Sequence, residues 1–146
     1  MKIKLIFTVI FIYILSIGCE DNIQNECFTN NFLELDAPSL SKTEGYYRLE
    51  FLHDYSFFST QTLSTLRANT NSTDEYQKLK WVSNKEILID GYWINLVNQN
   101  SYTDGDGYAY AVLGVWEEFI GDTITVYCGY EDMCFHFIDS LKVIVD

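Results

Sequence analysis

The chain of 146 residues has little proline, few histidines and little positive charge. Pro38 is the only proline, His53 and His136 are the only histidines, and nine basic residues stand against 21 acidic ones. No serine-centred elbow motif or metal-type spacing accompanies the histidines, so we expect them to be hydrogen-bonded structural residues. The shortage of Lys and Arg argues against binding to nucleic acid, which needs clusters of them. We therefore predict no catalysis, no cofactor, no metal and no nucleic-acid partner.

Long apolar runs are also missing, except at the amino terminus. Lys2 and Lys4 precede the run Leu5–Ile17, which is almost entirely apolar. A charged start, an apolar run of about 7–15 residues and small residues at its end are typical of a secretory signal peptide. An uncleaved anchor is the alternative, but a spanning helix needs about 20 apolar residues. Residues 1–18 are therefore predicted to be a cleavable signal helix.

The end of this segment reads Ser16-Ile17-Gly18-Cys19. It resembles the lipobox of bacterial lipoproteins, although Ser16 stands where Leu is usual. The resemblance implies cleavage after Gly18 and acylation of Cys19, and hence attachment to a membrane of the bacterial cell envelope, expected to be the outer membrane. Ordinary signal peptidase would cut at the same place and leave Cys19 unmodified. The acidic stretch Glu20–Glu26 is similar to the export signal on surface lipoproteins of the Bacteroidetes.

The composition after the leader indicates one acidic, strand-rich domain. Removal of residues 1–18 leaves seven basic and 21 acidic residues, a formal charge of −14. Eleven Tyr, ten Phe and three Trp, together with Thr, Val and Ile, favour strands over helices. We predict a flexible, lipid-anchored tether over residues 19–35 and a single domain over residues 36–146, a length that can bury a real core.

Alternation of apolar and polar residues predicts half-buried strands at Tyr46–His53 and Tyr76–Val82. Asp90-Gly91 between two apolar runs is a strong hairpin signal, and Tyr108–Trp116 is predicted to be a long strand. Segments between the strands are predicted to be loops: Ala68–Glu75, Asn98–Ser101 and Gly129–Met133. About seven to nine short strands with frequent turns and no helix predict an antiparallel β-sandwich.

Two segments of the second half have a recognisable pattern: Thr103–Ala109 reads Thr-Asp-Gly-Asp-Gly-Tyr-Ala, and Gly121–Val126 reads Gly-Asp-Thr-Ile-Thr-Val. They resemble bacterial immunoglobulin-like domains of the invasin/intimin type. In such domains a turn of the first kind starts a strand, and a strand of the second kind follows about a dozen residues later. The resemblance implies an immunoglobulin-like sandwich that serves as an extracellular structural or adhesive module and not as an enzyme.

Three cysteines remain if Cys19 is acylated. Cys128 and Cys134 flank a five-residue loop between two predicted strands, so a disulfide between them would staple that hairpin. An exported protein meets an oxidising compartment, where such a bond persists. Cys27 is either unpaired or joined to Cys128 or Cys134 instead, because three thiols do not define a pairing.

Two acidic pairs have possible roles in a site. Asp104 and Asp106 suggest calcium, but a calcium loop needs more carboxylates, so a turn built from Asp and Gly is the favoured interpretation. Glu117 and Glu118 suggest glycoside chemistry, but adjacent residues on one strand point to opposite faces. A solvated connection is favoured for them.

Aromatic residues offer one further kind of site. Trp81, Trp93 and Trp116 are predicted to lie mainly in the core, but exposed rings would form a platform for sugars. Tyrosines near turns are the candidates for exposure: Tyr92, Tyr102, Tyr108, Tyr110 and Tyr130. The first functional hypothesis is thus an interaction or structural module of the cell envelope with a protein partner. The alternative is a carbohydrate-binding surface lipoprotein.

Overall fold

The structure, a computed structural model, describes residues 32–52, 61–73, 76–131 and 136–146. Within these ranges it contains strands and one short 3₁₀ helix, Glu117–Phe119, with no α-helix. The strands are β1 Glu34–Asp36, β2 Ser41–Thr43, β3 Tyr46–Leu49, β4 Gln61–Asn69, β5 Lys78–Ser83, β6 Glu86–Ile89, β7 Tyr92–Asn95, β8 Asn98–Tyr102, β9 Tyr108–Trp116, β10 Thr123–Tyr130 and β11 His136–Val145. In this part of the chain, no helix has the length and apolar character to cross a membrane.

The strands form two main sheets and a separate hairpin. The small sheet has the order β1-β4-β9, the large sheet has the order β2-β3-β11-β10-β5-β8, and β6 pairs only with β7. Pairing is antiparallel except between β3 and β11, which run parallel. Both sheets contribute to one apolar core, with Leu66 and Leu113 from the small sheet and Trp81 and Val143 from the large one. This arrangement is consistent with the predicted all-β sandwich, although the described strands number eleven and not seven to nine.

The predicted alternation is confirmed where a strand buries one face. Tyr47 and Leu49 of β3 are buried and their neighbours are exposed. In β5, Leu79 and Trp81 point into the core. The indole N–H of Trp81 donates a hydrogen bond to Ser101 Oγ at 2.8 Å, so the one polar atom of this fully buried ring is satisfied.

Other boundaries differ from the prediction. Asn98–Ser101 is not a loop but most of β8, which pairs with β5 through its backbone and needs no apolar residue on the outer face. Gly129 continues β10 beyond a bulge at Cys128/Gly129 and is not part of a loop. Ala68 is buried in β4, which extends into the predicted loop. Leu33 and Leu35, which precede the predicted start of the domain, are buried in the core.

Several predicted features lie outside the described residues. They are the signal helix 1–18, Cys19, most of the tether 19–35, Cys27, His53 and Cys134.

The sandwich has two ends, or poles, that differ in what they carry. At the Phe32 pole the chain enters β1, and the Tyr130 hydroxyl donates to the Phe32 carbonyl at 3.0 Å. At the opposite pole, β5 ends in the β6–β7 hairpin and β11 ends the chain. The nine-residue strand β9 runs between the poles over about 30 Å. We call the second end the hairpin pole.

Candidate interaction site

The β6–β7 hairpin forms because its turn residues accept positive φ. Asp90 has φ of 52° and Gly91 has φ of 85°, as a two-residue hairpin turn requires. Leu88 pairs with Trp93 across the ladder, and Ile87 pairs with Ile94. The hairpin predicted from Asp90-Gly91 is therefore confirmed.

The hairpin exposes an unusual amount of apolar side chain. Of its eight ladder residues, four are apolar and exposed: Leu88 at 53%, Tyr92 at 75%, Trp93 at 69% and Ile94 at 42%. Single exposed apolar residues are common on protein surfaces, whereas four on one two-stranded hairpin mark a candidate interaction site. We call these four residues the apolar tip.

The two faces of the hairpin have different surroundings. Ile87 is buried and Ile89 packs against the core, so the face that carries them meets the sandwich. Tyr92 and Ile94 pair with Ile89 and Ile87 and so lie on that same face. Because alternate residues of a strand point to opposite faces, Leu88 and Trp93 lie on the other face. This cross-strand pair of aromatic and aliphatic side chains therefore projects away from the core.

The base of the hairpin is held by the side-chain amide of Asn95. Its Oδ1 accepts hydrogen bonds from the backbone N–H of Ser83 at 2.8 Å and from that of Val97 at 3.2 Å. Its Nδ2 donates to the Ser83 carbonyl at 2.8 Å. Ser83 Oγ lies 2.8 Å from Asn95 Oδ1 and also donates to the Lys85 carbonyl. The amide thus pairs with β5 as a backbone strand would, which fixes the direction in which the hairpin leaves the domain.

The hairpin pole is acidic. It carries seven of the 14 acidic residues in the described ranges and two of the seven basic ones, while Lys42 and Lys142 lie one and two register positions further from the end of the sheet. The acidic residues are Glu50, Glu86, Asp90, Glu117, Glu118, Asp122 and Asp146. Both cations are paired: Lys85 Nζ lies 2.8 Å from Asp122 Oδ2, and Arg48 reaches both carboxylate oxygens of Asp146. The pole therefore keeps a net negative charge around the apolar tip.

The predicted aromatic candidates separate into two groups. Trp81 is fully buried, Trp116 packs against the core, and Trp93 is exposed. Tyr92, Tyr102 and Tyr110 are exposed, whereas Tyr108 and Tyr130 are half-buried. Tyr92 and Trp93 are consecutive residues of β7, so they lie on opposite faces of the hairpin and not in one plane.

The acidic pair of the turn before β9 has a structural role. Asp104 Oδ1 accepts hydrogen bonds from the backbone N–H of Asp106 at 3.0 Å and of Tyr108 at 2.9 Å. Gly107 has φ of 81°, and a Cβ atom there would collide with the Ser72 carbonyl oxygen. The turn interpretation of Thr103–Gly107 is thus confirmed. Among the described residues, no group of three or more His, Cys, Asp or Glu side chains is placed to hold a metal ion.

Glu117 and Glu118 lie in the 3₁₀ helix and not on a strand, and both are exposed. The prediction of a solvated connection at this position is therefore confirmed. The 3₁₀ helix places these two carboxylates at the hairpin pole, next in sequence to the buried Phe119.

Burial shifts the pKa values of two residues that lie away from the hairpin, Cys128 and Tyr130. Burial raises the pKa of the Cys128 thiol, which points into the core from β10. Burial also raises the pKa of Tyr130 to about 12. Since Cys134 lies outside the described residues, the proposed Cys128–Cys134 disulfide stays a prediction.

A groove of about 770 Å³ runs beside β3 and β4. Leu40, Phe51 and Leu63 contribute its apolar walls, and the paired charges of Arg48 and Asp146 lie along it. These two charges neutralise each other, which leaves the exposed carboxylate of Glu50 as the remaining charge of the lining. The groove is a weaker candidate site than the apolar tip.

No protein-family model matches the sequence, and no curated protein matches it either. The geometry of the hairpin pole is therefore the main guide to function.

Proposed function

We propose that the chain is a lipid-anchored cell-envelope protein whose immunoglobulin-like domain binds another protein through the β6–β7 hairpin. The observation that carries this proposal is the apolar tip on a hairpin whose base is fixed by Asn95. A rigid base and an exposed Trp are the usual features of a binding hot spot, in which a few aromatic anchors supply most of the affinity.

The strand arrangement supports the immunoglobulin-like part of the proposal. Immunoglobulin domains have two antiparallel sheets and a buried Trp on their third strand, next to a cysteine of a neighbouring strand. Here Trp81 of β5 is fully buried, and its partner across the ladder is the buried Cys128 of β10. The facing strand β4 supplies Leu66 to the core, so an intersheet disulfide is replaced by apolar packing.

The topology also suggests how the domain is presented. An anchor at Cys19 would reach the domain through residues 20–31, which lead to Phe32. The apolar tip lies at the opposite pole, about one strand length, or roughly 30 Å, away. The hairpin would then face away from the membrane that holds the lipid. The excess of carboxylates at the hairpin pole would favour the same orientation at an anionic surface.

Carbohydrate binding is the second candidate, because exposed Trp93 and Tyr92 could stack on sugar rings. The geometry favours it less than protein binding. Trp81 and Trp116 are not exposed, and Tyr92 and Trp93 lie on opposite faces of β7. A half-buried Tyr127 and an exposed Phe137 form another aromatic pair, with rings tilted by 47° at a centroid distance of 5.4 Å. These rings do not form a flat platform.

A binding assay with envelopes from the native host tests the proposal. The exported full-length chain with Cys19→Ser is labelled and mixed with the envelopes, and the bound fraction is compared with that of Trp93→Ala. Tyr102→Ala is the matched control, because Tyr102 is exposed to 56% and lies towards the Phe32 pole. We expect loss of binding for Trp93→Ala alone, and loss after protease treatment of the envelopes. Equal binding of all three chains would contradict the proposal, and binding that survives protease but not glycosidase would support the carbohydrate alternative.

A further inference from the structure

The charges around the apolar tip restrict what it can bind. Glu86 and Asp90 belong to the hairpin itself, and Glu118 lies in the 3₁₀ helix at the same pole. All three are exposed, and within the described ranges no ion pair reaches any of them. A partner that covers Trp93 must therefore approach the carboxylates of Glu86 and Asp90, which belong to the same hairpin, closely.

The basic residues of the domain lie mostly elsewhere. Five of the seven in the described ranges lie on strands other than β6 and β7, namely Lys42, Arg67, Lys78, Lys80 and Lys142, although Lys42 and Lys142 lie within two register positions of Arg48. The two at the pole, Lys85 and Arg48, are held by Asp122 and Asp146. The pole therefore repels an acidic partner and attracts a cationic one, since charge complementarity sets specificity and association rate at interfaces.

We infer that the partner is a cationic protein surface, in which Lys or Arg side chains surround an apolar pocket that receives Trp93 and Leu88. This inference rests on the proposed function and adds the chemistry of the partner. Apolar burial supplies the affinity, because Trp in a desolvated pocket is a frequent hot spot. The carboxylates of Glu86 and Asp90 supply the selectivity, because they remain at the rim, where they meet the partner's cations. Acidic polysaccharides and anionic lipid surfaces are disfavoured by the same charges.

Selection from a random peptide library tests both the charge of the partner and the position of the binding site on the hairpin. The exported full-length chain with Cys19→Ser is the target, phage-displayed random 12-residue peptides are the probe, and selection is carried out at low salt. We expect the enriched peptides to combine Lys or Arg with large apolar residues. The affinity of a synthetic representative should fall by at least about 10-fold with Trp93→Ala, the size of effect expected of a hot-spot residue.

A pair of matched variants separates local from general electrostatics. Glu86→Gln with Asp90→Asn removes two carboxylates beside the tip, and Glu34→Gln with Glu44→Gln removes two exposed carboxylates elsewhere on the domain. The first double variant should weaken peptide binding by about 3–10-fold, as expected for exposed charge pairs. The second should leave the affinity within a factor of about two.

Three outcomes would overturn the inference: enriched peptides without positive charge, equal binding to Trp93→Ala, or equal losses from the two double variants. The envelope assay distinguishes a failure of the inferred partner chemistry from a failure of the proposed function. If envelope binding needs Trp93 while the selected peptides are not cationic, the inferred partner chemistry is wrong and the interaction site stands. If envelope binding does not need Trp93, the proposed function itself fails.

Discussion

Replacement of Asn95 by Ala tests whether the hairpin is fixed to the domain by one side chain. The variant removes the acceptor for the Ser83 and Val97 N–H groups and the donor to the Ser83 carbonyl. Ser83 is buried, so its backbone groups lose partners that water replaces poorly. An unsatisfied buried group costs about 1–3 kcal/mol. The half-buried position of Asn95 lets water reach part of the site, so we expect a total loss of about 2–3 kcal/mol.

Urea unfolding measures this loss directly, and thermal unfolding should show a fall in Tm of roughly 8–12 °C for a domain of this size. Asn100→Ala is the control, because Asn100 is an exposed residue of β8, and a surface change of this kind is expected to stay within about 0.5 kcal/mol. Hydrogen exchange should also show faster exchange of the Ser83 amide in Asn95→Ala. An Asn95→Ala domain as stable as the control, with an unchanged Ser83 amide, would refute the reasoning.

Three further predictions concern the core and the turns. In a double-mutant cycle, the stability losses of Trp81→Phe and Ser101→Ala should show a coupling energy of about 0.5–1.5 kcal/mol, since each variant removes one partner of the same hydrogen bond. Losses that add up in urea unfolding would argue against that bond. Gly91→Ala should lower the free energy of unfolding by about 1–2 kcal/mol, because of its positive φ alone. Gly107→Ala should lower it clearly more, because the added Cβ also meets the Ser72 carbonyl oxygen. Equal losses of stability in thermal unfolding would contradict the turn geometry. Burial raises the pKa of the reduced Cys128 thiol, so as the pH rises the unfolded chain loses this proton before the folded domain does. The contribution of the thiol to the free energy of unfolding should therefore be constant below about pH 8.5 and fall above it, by about 1.4 kcal/mol per pH unit. Cys128→Ala should flatten this fall between pH 8.5 and 9.5, and an unchanged slope would show that the thiol is not the cause.

The sequence predicts strands well where a strand buries one face. Alternation marks β3 and β5 because their exposed and buried residues differ in polarity, and Asp90-Gly91 marks the hairpin because its turn needs positive φ. The strand β8 is not predicted, because this polar edge strand pairs through its backbone and shows no alternation of apolar and polar residues. The parallel pairing of β3 with β11 joins segments about 100 residues apart, which no local pattern shows.

The apolar tip was only partly predictable. Tyr92 is a candidate for exposure because it lies next to a turn, but Leu88 and Ile94 belong to unbroken apolar runs. Such runs are typical of strands that are buried on both faces. In the structure β6 and β7 form a sheet of their own, and the sandwich meets one of its faces. Nothing in these runs shows that β6 and β7 pair only with each other, so the sequence gives no signal for the exposure of Leu88 and Ile94.

Photo-crosslinking in the native host tests the central claim, contact of the hairpin with a protein, most directly. The photoreactive residue p-benzoylphenylalanine replaces Trp93 in one strain and Tyr102 in another, and both full-length chains are expressed and irradiated in intact cells. The account predicts a discrete, protease-sensitive adduct from position 93 and none of that size from position 102. The same adducts from both positions, or none from position 93, would contradict it.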